Sequence, residues 1–346
     1  MFGFNDSEAA VLTALQQGIP LTERPFAEIG QKHGLGEAEV ISLVSRLMQS
    51  GQARRVGGVF DGRRLGYRSA LCAIEVPRIR LAETAAKVAG VRGVTHAYER
   101  GWPEELPRDL PGGPGSNHWP NLWFTLATPS ETFADEIEQI RAACKPYAVH
   151  TLPALRRFKI DVVFDLRNRD RDEVVEPRIM SESERPPPPT LDAADKRIIK
   201  LLEGNVPMYE EFFAAAAYAA GLSVTALLEK LRAWQSAGVL RRCALLLRHR
   251  EIGFKANGMC CWDLPADDLQ EAGRHLASCP EVTHCYERAR MDIFPFRLYA
   301  MIHTPSWEQT RQLFEGLSQK IGVKDGQVLL SLTEFKKTSM QFFRHD

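Results

Sequence analysis

This chain of 346 residues has no apolar run approaching the length of a membrane span, and its 44 basic residues are balanced by 44 acidic ones. The first lack argues against a bilayer-spanning helix. The second removes any bulk electrostatic drive toward nucleic acid or an anionic membrane, leaving only local clusters. Cysteine is sparse too: seven residues, odd in number and scattered, with only Cys260 and Cys261 adjacent and no CxxC spacing. Neither a disulfide framework nor a zinc site is expected, and a reducing cytoplasm fits best. Met1 to Glu8 lack a basic segment leading into an apolar core, so no signal peptide is expected. What is present is an ordinary globular composition, 44% hydrophobic and 25% charged, in a chain longer than one typical domain.

One heptapeptide occurs twice. Val94-Thr95-His96-Ala97-Tyr98-Glu99-Arg100 returns as Val282-Thr283-His284-Cys285-Tyr286-Glu287-Arg288, identical at six of seven positions. Its alternation and aromatic content predict a β-strand. Side chains at i, i+2 and i+4 of a strand share a face, so His96, Tyr98 and Arg100 form one row, and His284, Tyr286 and Arg288 another. A merely structural strand would more often present aliphatics there. An imidazole, a phenol and a guanidinium in line suit proton transfer or an anionic ring. Cys285 beside His284 does not make a nucleophilic pair, because strand neighbours face opposite sides and Ala97 replaces it in the first copy.

The chain around the heptapeptides follows one plan, also written twice. Residues 5–18, 25–34 and 37–49 have helical spacing, and 53–60, a turn at Asp61-Gly62 and 65–67 read as a small β-wing. This is a winged helix-turn-helix, over residues 1–68. Residues 69–166 then read strand (69–76), helix (81–89), strand (the heptapeptide), strand (121–127), helix (130–144) and one or two closing strands (151–165), the ferredoxin-like βαββαβ order. Residues 167–190 are charged and then proline-rich, a linker. The plan restarts with helices at 192–203, 209–220 and 224–236, giving a second winged helix-turn-helix (191–255) and a second ferredoxin-like domain (256–346). Arg54-Arg55 matches Arg241-Arg242 and Gly66-Tyr67 matches Gly253-Phe254, both at an offset of 187. Thr128-Pro129-Ser130 matches Thr304-Pro305-Ser306 at an offset of 176, which locates an insertion in the first copy near 103–117. Phe158-Lys159 matches Phe335-Lys336. The expected class is α+β, a tandem duplication whose two sheets pack together as a pseudo-dimer.

A winged helix-turn-helix followed by βαββαβ resembles the Lrp/AsnC family of transcription regulators, across both halves. Thr-His-x-Tyr-x-Arg followed by Asn121-Leu122-Trp123-Phe124-Thr125-Leu126 resembles the A/D-type subunit of sirohaem decarboxylases. Thr-His-Cys-Tyr-x-Arg followed by Phe294-Pro295-Phe296-Arg297-Leu298-Tyr299 resembles the B/L-type subunit. The whole chain is therefore similar to a fused D–L sirohaem decarboxylase of haem d1 biosynthesis. The resemblance implies conversion of sirohaem to 12,18-didecarboxysirohaem, acetate arms becoming methyl groups. One departure concerns His118-Trp119-Pro120-Asn121-Leu122-Trp123, where the family's tyrosine is a proline and the insertion intervenes. The resemblance leaves open a homodimer or further decarboxylase subunits.

Sirohaem is a flat iron tetrapyrrole edged with acetate and propionate carboxylates. Its site needs aromatic walls for the ring and guanidinium or hydroxyl groups for the rim. The candidate catalytic set is His96, Tyr98, Arg100, His284, Tyr286 and Arg288: histidine protonates the carbon left by carbon dioxide, arginine holds the carboxylate, tyrosine orients. Candidate substrate contacts are Arg54, Arg55, His118, Asn121 and Trp123 in the first half, and Arg241, Arg242, Phe294, Arg297, Tyr299 and His303 in the second. Arg297, Tyr299, Met301 and His303 are expected to alternate onto one face. By default the paired arginines are solvated and Trp123, Phe294 and Tyr299 partly core. His118 or His284 is the candidate axial ligand to the iron, which belongs to the substrate, so no separate cofactor is required. Two rival readings remain: a DNA-binding regulator, and a haem-binding sensor without turnover. Against DNA, the first third helix has only Arg46 beside Glu37 and Glu39, and the second has Lys230 and Arg232 against Glu229.

Overall fold

The structure, a computed structural model, describes residues 3–104, 106–110, 113–114, 118–160, 163–164, 166 and 186–344. Most of the expected linker, and parts of the 103–117 insertion, lie outside the described residues. The chain opens with α1 (Asp6–Gln17), α2 (Pro25–His33) and α3 (Glu37–Gln49). Asn5 and Glu8 cap α1 reciprocally, each side chain taking the other's backbone N–H. Their apolar stripes, among them Leu12, Phe26, Val40 and Leu47, are fully buried.

Next come β1 (Ala53–Phe60), β2 (Tyr67–Ile74), α4 (Arg78–Gly90), β3 (Val94–Gly101), β4 (Leu122–Pro129), α5 (Phe133–Cys144), β5 (Val149–Leu152) and β6 (Ala154–Ile160). The second half repeats the order with α6 (Ala193–Leu202), α7 (Ala214–Ala220), α8 (Val224–Ser236), β7 (Leu240–Leu247) and β8 (Ala256–Trp262). It finishes with α9 (Leu269–Ser278), β9 (Val282–Arg288), β10 (Leu298–Thr304), α10 (Trp307–Lys320) and β11 (Gly326–Lys337). Both βαββαβ units are present. The second helix of the second half starts at Ala214, later than the expected 209, after a turn.

The expected hairpin wing does not form. Strand β1 pairs antiparallel with β7 of the other half, so each wing completes the other. Residues 62–65 form a 3-10 turn capped by Asp61, and Tyr67 already belongs to β2, opposite Pro129 of β4. Pairing across the halves satisfies the β1 backbone that a hairpin would otherwise have had to serve. Leu202 at the end of α6 lies so close to β1 that a Cβ at Gly57 would sit 2.3 Å from the Leu202 carbonyl. The two helix-turn-helix units thus share one core.

The main sheet runs β5-β2-β4-β3-β11-β8-β10-β9-β6. Its two ends, β5 and β6, are consecutive in sequence with only Pro153 between them, so the chain closes the ladder on itself. Two strands bridge the halves. Residues 326–330 of β11 pair with β8, and 330–337 pair with β3 of the first half. Reciprocally, β5 pairs with β2 while β6 pairs with β9 of the second half. Each bridge is anchored by its copy of the repeated Phe-Lys. Phe158 fills the space above Gly273 of α9, where a Cβ would lie 2.4 Å from its ring. Lys159 donates to the Cys279 carbonyl at the end of α9 (2.7 Å), and Lys336 to the Ala89 and Val91 carbonyls at the end of α4 (2.7 and 2.9 Å). Helices α4 and α5 cover one sheet face, α9 and α10 another. The opposite faces meet in an inter-sheet core that includes Ala73, Trp123, Met259, Phe294, Tyr299 and Leu329. The expected pseudo-dimer is therefore a face-to-face sandwich of the two halves, joined by exchanged strands. All seven cysteines are free and buried, and no helix among the described residues is long and apolar enough to cross a membrane.

Asp61 ties three segments together: its carboxylate accepts from Arg157 of β6 at 3.0 Å and Arg241 of β7 at 3.1 Å, and it is 2% exposed. Burial alone would raise its pKa, but the Arg241 and Arg157 guanidiniums outweigh that and hold it far below the usual carboxylate range. For Arg241 the balance is reversed, and burial lowers its pKa despite Asp61. Asp61→Ala leaves two guanidiniums unpaired, and urea unfolding is expected to show a loss of about 3 kcal/mol. The Asp61 contribution is present above the unfolded carboxylate pKa and is lost as pH falls below it, so the deficit of the variant narrows in acid.

Candidate functional site

Both heptapeptides lie on central strands, β3 and β9, and both carry a bulge at the same place. Val94 and His96 face Leu126 and Thr125, so Thr95 is an extra residue; Val282 and His284 face Ile302 and Met301, so Thr283 is another. The bulge turns the threonine toward its own histidine. Thr95 Oγ1 is 3.0 Å from His96 Nδ1, and Thr283 Oγ1 is 3.1 Å from His284 Nδ1. Each hydroxyl donates its single proton to a carbonyl of the facing strand, Thr125 O at 3.4 Å and Met301 O at 3.2 Å. It is then an acceptor toward the ring, which places hydrogen on Nδ1 and leaves the Nε2 lone pair free. The row continues as expected: His96 stacks on Tyr98 at 6.3 Å and His284 on Tyr286 at 6.2 Å. Arg100 covers the Tyr98 ring at 5.3 Å and Arg288 the Tyr286 ring at 4.8 Å.

Each row is bordered by the other half. In the ladder Lys337 stands opposite His96, and Ile160 opposite His284. Burial, then Arg54, Lys337, His284 and Arg100, push the His96 pKa down to about 3. Burial, then Arg241, Arg288, Arg242 and Lys159, push His284 down to about 4. Burial among cations therefore favours the neutral form of both imidazoles. Burial also lowers Arg100 to about 10. Its guanidinium donates to the Asn257 amide oxygen at 3.3 Å and the Leu329 carbonyl at 3.5 Å. Arg288 donates to the Leu152 carbonyl at 2.5 Å, while its Nε and the Tyr299 hydroxyl are buried with no hydrogen-bond partner among the described residues. Neither guanidinium has a carboxylate partner among the described residues, and Arg100 lines the first of the two clefts described next.

Two clefts open at matching ends of the sandwich. The first, about 540 Å³, is walled by Arg100, Trp102, Arg108, His118, Trp119 and Asn121. The second, about 420 Å³, is walled by Asp263, Leu264, Pro265, Arg290 and Arg297, positions that the duplication aligns with Glu75, Val76, Pro77, Trp102 and Asn121. The first is the more aromatic, and in the second Asp263 neutralises Arg290 at 3.3 Å.

The expected contacts divide accordingly. Arg100, His118 and Asn121 meet at the first cleft, although the Asn121 amide also clamps the Val76 backbone at 2.9 and 2.8 Å. Arg297 stands one residue before β10, where its carbonyl accepts from the Arg288 N–H at 2.8 Å, and it lines the second cleft. Arg54 reaches the His96 row and bonds Ser339 at 2.6 Å; Arg241 and Arg242 reach the His284 row. Arg55 instead turns back onto the Gly58 carbonyl at 3.1 Å. Trp123 and Phe294 are sealed in the inter-sheet core and line neither cleft, and Tyr299 joins them there. His303 sits behind the row, 2.8 Å from Asn257 and 3.4 Å from Thr283. Sequence reasoning missed Trp119, whose indole bonds Gln327 at 2.9 Å and packs edge-on to Phe294. It also missed Asn257, Lys337 and the two threonines. The threonines were visible inside the repeat, but strict alternation assigned them to the far face. No group of three or more His, Cys, Asp or Glu side chains able to hold a metal ion occurs among the described residues.

Residues 64–159 and 251–336 match the family described as AsnC-like ligand binding domain, and residues 8–54 match the sirohaem decarboxylase NirDL-like HTH domain. A sirohaem decarboxylase of Hydrogenobacter thermophilus is 34% identical, covering 97% of this chain and 95% of the relative. A sirohaem decarboxylase beta subunit of Methanosarcina barkeri is 34% identical over 44% of this chain and 99% of its own length. The crystal structure of the sirohaem decarboxylase NirDL in complex with an iron-uroporphyrin III analogue superposes with a TM-score of 0.67 at 29% identity, covering 97% of this chain and 94% of that one.

The depressed imidazole pKa values carry a stability consequence. Below about pH 6.5 unfolded histidines bind protons that folded His96 and His284 refuse until about 3 and 4. Stability is therefore expected to fall as pH drops from 6.5 toward 4. Urea midpoints at pH 7.5 and 5.0 measure it, and His96→Gln/His284→Gln should flatten the dependence.

Proposed function

The chain belongs to the sirohaem decarboxylase family, and from that membership we propose that it is a carboxy-lyase converting sirohaem to 12,18-didecarboxysirohaem on the route to haem d1. In each turn the bond between an acetate methylene and its carboxylate breaks. Carbon dioxide leaves, the electron pair stays on the methylene carbon, and one proton completes a methyl group.

The observation that carries this reading is the pair of buried guanidiniums, Arg100 and Arg288, each laid on a tyrosine ring and lacking a carboxylate among the described residues. A planar guanidinium pairs bidentately with a substrate carboxylate, and the low dielectric around it strengthens the contact. Apolar surroundings also favour turning that carboxylate into neutral carbon dioxide. His96 or His284 supplies the proton from Nε2, held in position by Nδ1 on its threonine. Burial and nearby cations oppose charge on these imidazoles. The polycarboxylate reverses the electrostatics: its negative rim raises the imidazole pKa, so the acid is charged as substrate arrives. Tyr98 and Tyr286 keep imidazole and guanidinium in register. Arg54 and Arg242 extend the cationic rim. His118, at the mouth of the first cleft, or His284 faces the substrate iron. If His284 Nε2 takes the iron it cannot also deliver the proton, and that task passes to His96.

The basic residues of the third helices are each engaged by another group of the chain, which weighs against phosphate contacts. Arg46 pairs with Glu8 at 2.8 Å, Lys230 with Asp195 at 2.7 Å, and Arg232 with the Leu21 carbonyl at 2.6 Å. The seven buried free thiols fit a reducing compartment, and we assign the reaction to the cytoplasm. The half-length beta subunit among the relatives supports reading this chain as two such subunits fused into one.

Anaerobic incubation of the purified chain with sirohaem, followed by mass analysis, should show two successive losses of carbon dioxide. His96→Ala or His284→Ala, whichever residue protonates, should lower turnover about 100-fold or more. Wild-type turnover in both single variants and in the double variant would overturn the assignment of the acid.

A further inference from the structure

The two heptapeptides are joined by a hydrogen-bonded chain of side chains that crosses from one half to the other. It starts at Arg100 of the first half, which donates to Asn257 Oδ1 at 3.3 Å; Ser331 donates to the same oxygen at 3.1 Å. Two donors on Oδ1 fix the amide, so Asn257 Nδ2 is the group facing His303 Nε2 at 2.8 Å and donates to it. His303 Nε2 is therefore an acceptor, and in the neutral ring its hydrogen lies on Nδ1. That nitrogen is 3.4 Å from Thr283 Oγ1, which also faces His284 Nδ1 at 3.1 Å. The Thr283 proton is committed to the Met301 carbonyl at 3.2 Å, so the hydroxyl oxygen accepts from both imidazoles. Every donor in the chain has one acceptor direction, and together they fix His284 with Nδ1 protonated and Nε2 free.

The first half has no such chain. Asn257 and His303 face one another across β8 and β10, and the residues facing one another at the aligned positions of β2 and β4 are Ser69 and Ala127. Thr95 thus holds His96 without a second imidazole behind it. The guanidiniums differ too: Arg100 donates to a side-chain amide, Asn257 Oδ1, whereas Arg288 donates to a backbone carbonyl, that of Leu152. With both ring nitrogens of His303 engaged by protein, its part is to position others rather than to touch substrate.

We propose that Asn257 and His303 are positioning residues that hold His284 in its Nδ1–H form and lock Arg100 to it, so that guanidinium from one half and imidazole from the other operate as a single asymmetric site. The kinetic consequence rests on the decarboxylase reading; the structural one does not. Substitution of both residues by their first-half counterparts, Asn257→Ser/His303→Ala, removes the chain. His303→Gln preserves it, because the side-chain oxygen can accept from Asn257 and the amide nitrogen can donate to Thr283.

Two measurements on the full chain test this. In the substrate-free protein labelled with ¹⁵N-histidine, the His284 resonances, assigned by their loss in His284→Gln, should report the Nδ1–H tautomer. Asn257→Ser/His303→Ala should shift them toward a mixture, and His303→Gln should restore them. With sirohaem, the double variant should lose about tenfold in kcat with little change in KM, the worth of one lost hydrogen bond, and His303→Gln should recover most of it. Thermal melts separate this from unfolding. A wild-type Nε2–H tautomer, or a tautomer unmoved in a folded double variant, overturns the positioning role whether or not sirohaem is turned over. Normal kcat in the double variant overturns the kinetic part. Absence of wild-type decarboxylation beside the expected tautomers would instead sink the functional reading and leave the positioning role standing.

Discussion

Backbone hydrogen bonding across the two halves is the constraint on which the rest of this structure depends. Strand β11 serves β8 with its first residues and β3 with its last, and the β5–β6 stretch does the same for β2 and β9. A strand removed from either bridge would leave a row of buried N–H and C=O groups unpaired, at a cost that side-chain packing does not readily offset. The arrangement also fixes where the chemistry sits. The bridge of each half ends beside the histidine of the other, Lys337 at His96 and Ile160 at His284. Each row of imidazole, phenol and guanidinium is thus built by both copies of the repeat, and β1 with β7 repeats the same exchange among the helices.

The electrostatics follow from that placement. Bringing lysines and arginines of two halves onto two central strands concentrates positive charge where water is scarce. In such surroundings an imidazole stays neutral, and a guanidinium without a carboxylate is costly to bury. A polyanionic ligand would relieve that unfavourable charge.

The duplication was legible because Val94–Arg100 and Val282–Arg288 differ at one position, and because arginine, glycine and Phe-Lys pairs keep a common offset. The rows of imidazole, phenol and guanidinium were legible because a strand has period two. What was hidden depends on partners distant in the chain. Gly326–Lys337 forms one long strand, and nothing local in its sequence says that its end pairs with β3 rather than staying in its own half. Ala53–Phe60 reads as half of a hairpin, since its partner β7 lies nearly two hundred residues away. Trp123, Phe294 and Tyr299 suit a ring-binding wall by type, yet packing of one sheet on the other seals them. The threonines escaped because a bulge breaks the alternation that revealed their neighbours.

The exchanged strands also bear on how the polypeptide is made. Residues 154–160 leave the ribosome more than one hundred residues before β9 exists to receive them. At translation rates of about 5–20 residues per second, β6 waits on the order of ten seconds as an unmated edge. Its sequence, Ala-Leu-Arg-Arg-Phe-Lys-Ile, carries Arg156, Arg157 and Lys159 among its apolar residues. Those charges repel a second nascent strand of the same kind and keep the edge soluble. Once the second half emerges, the same side chains turn to the Asp61 carboxylate, to Glu287 and to the end of α9. The cations that border the finished site thus also guard the unfinished chain.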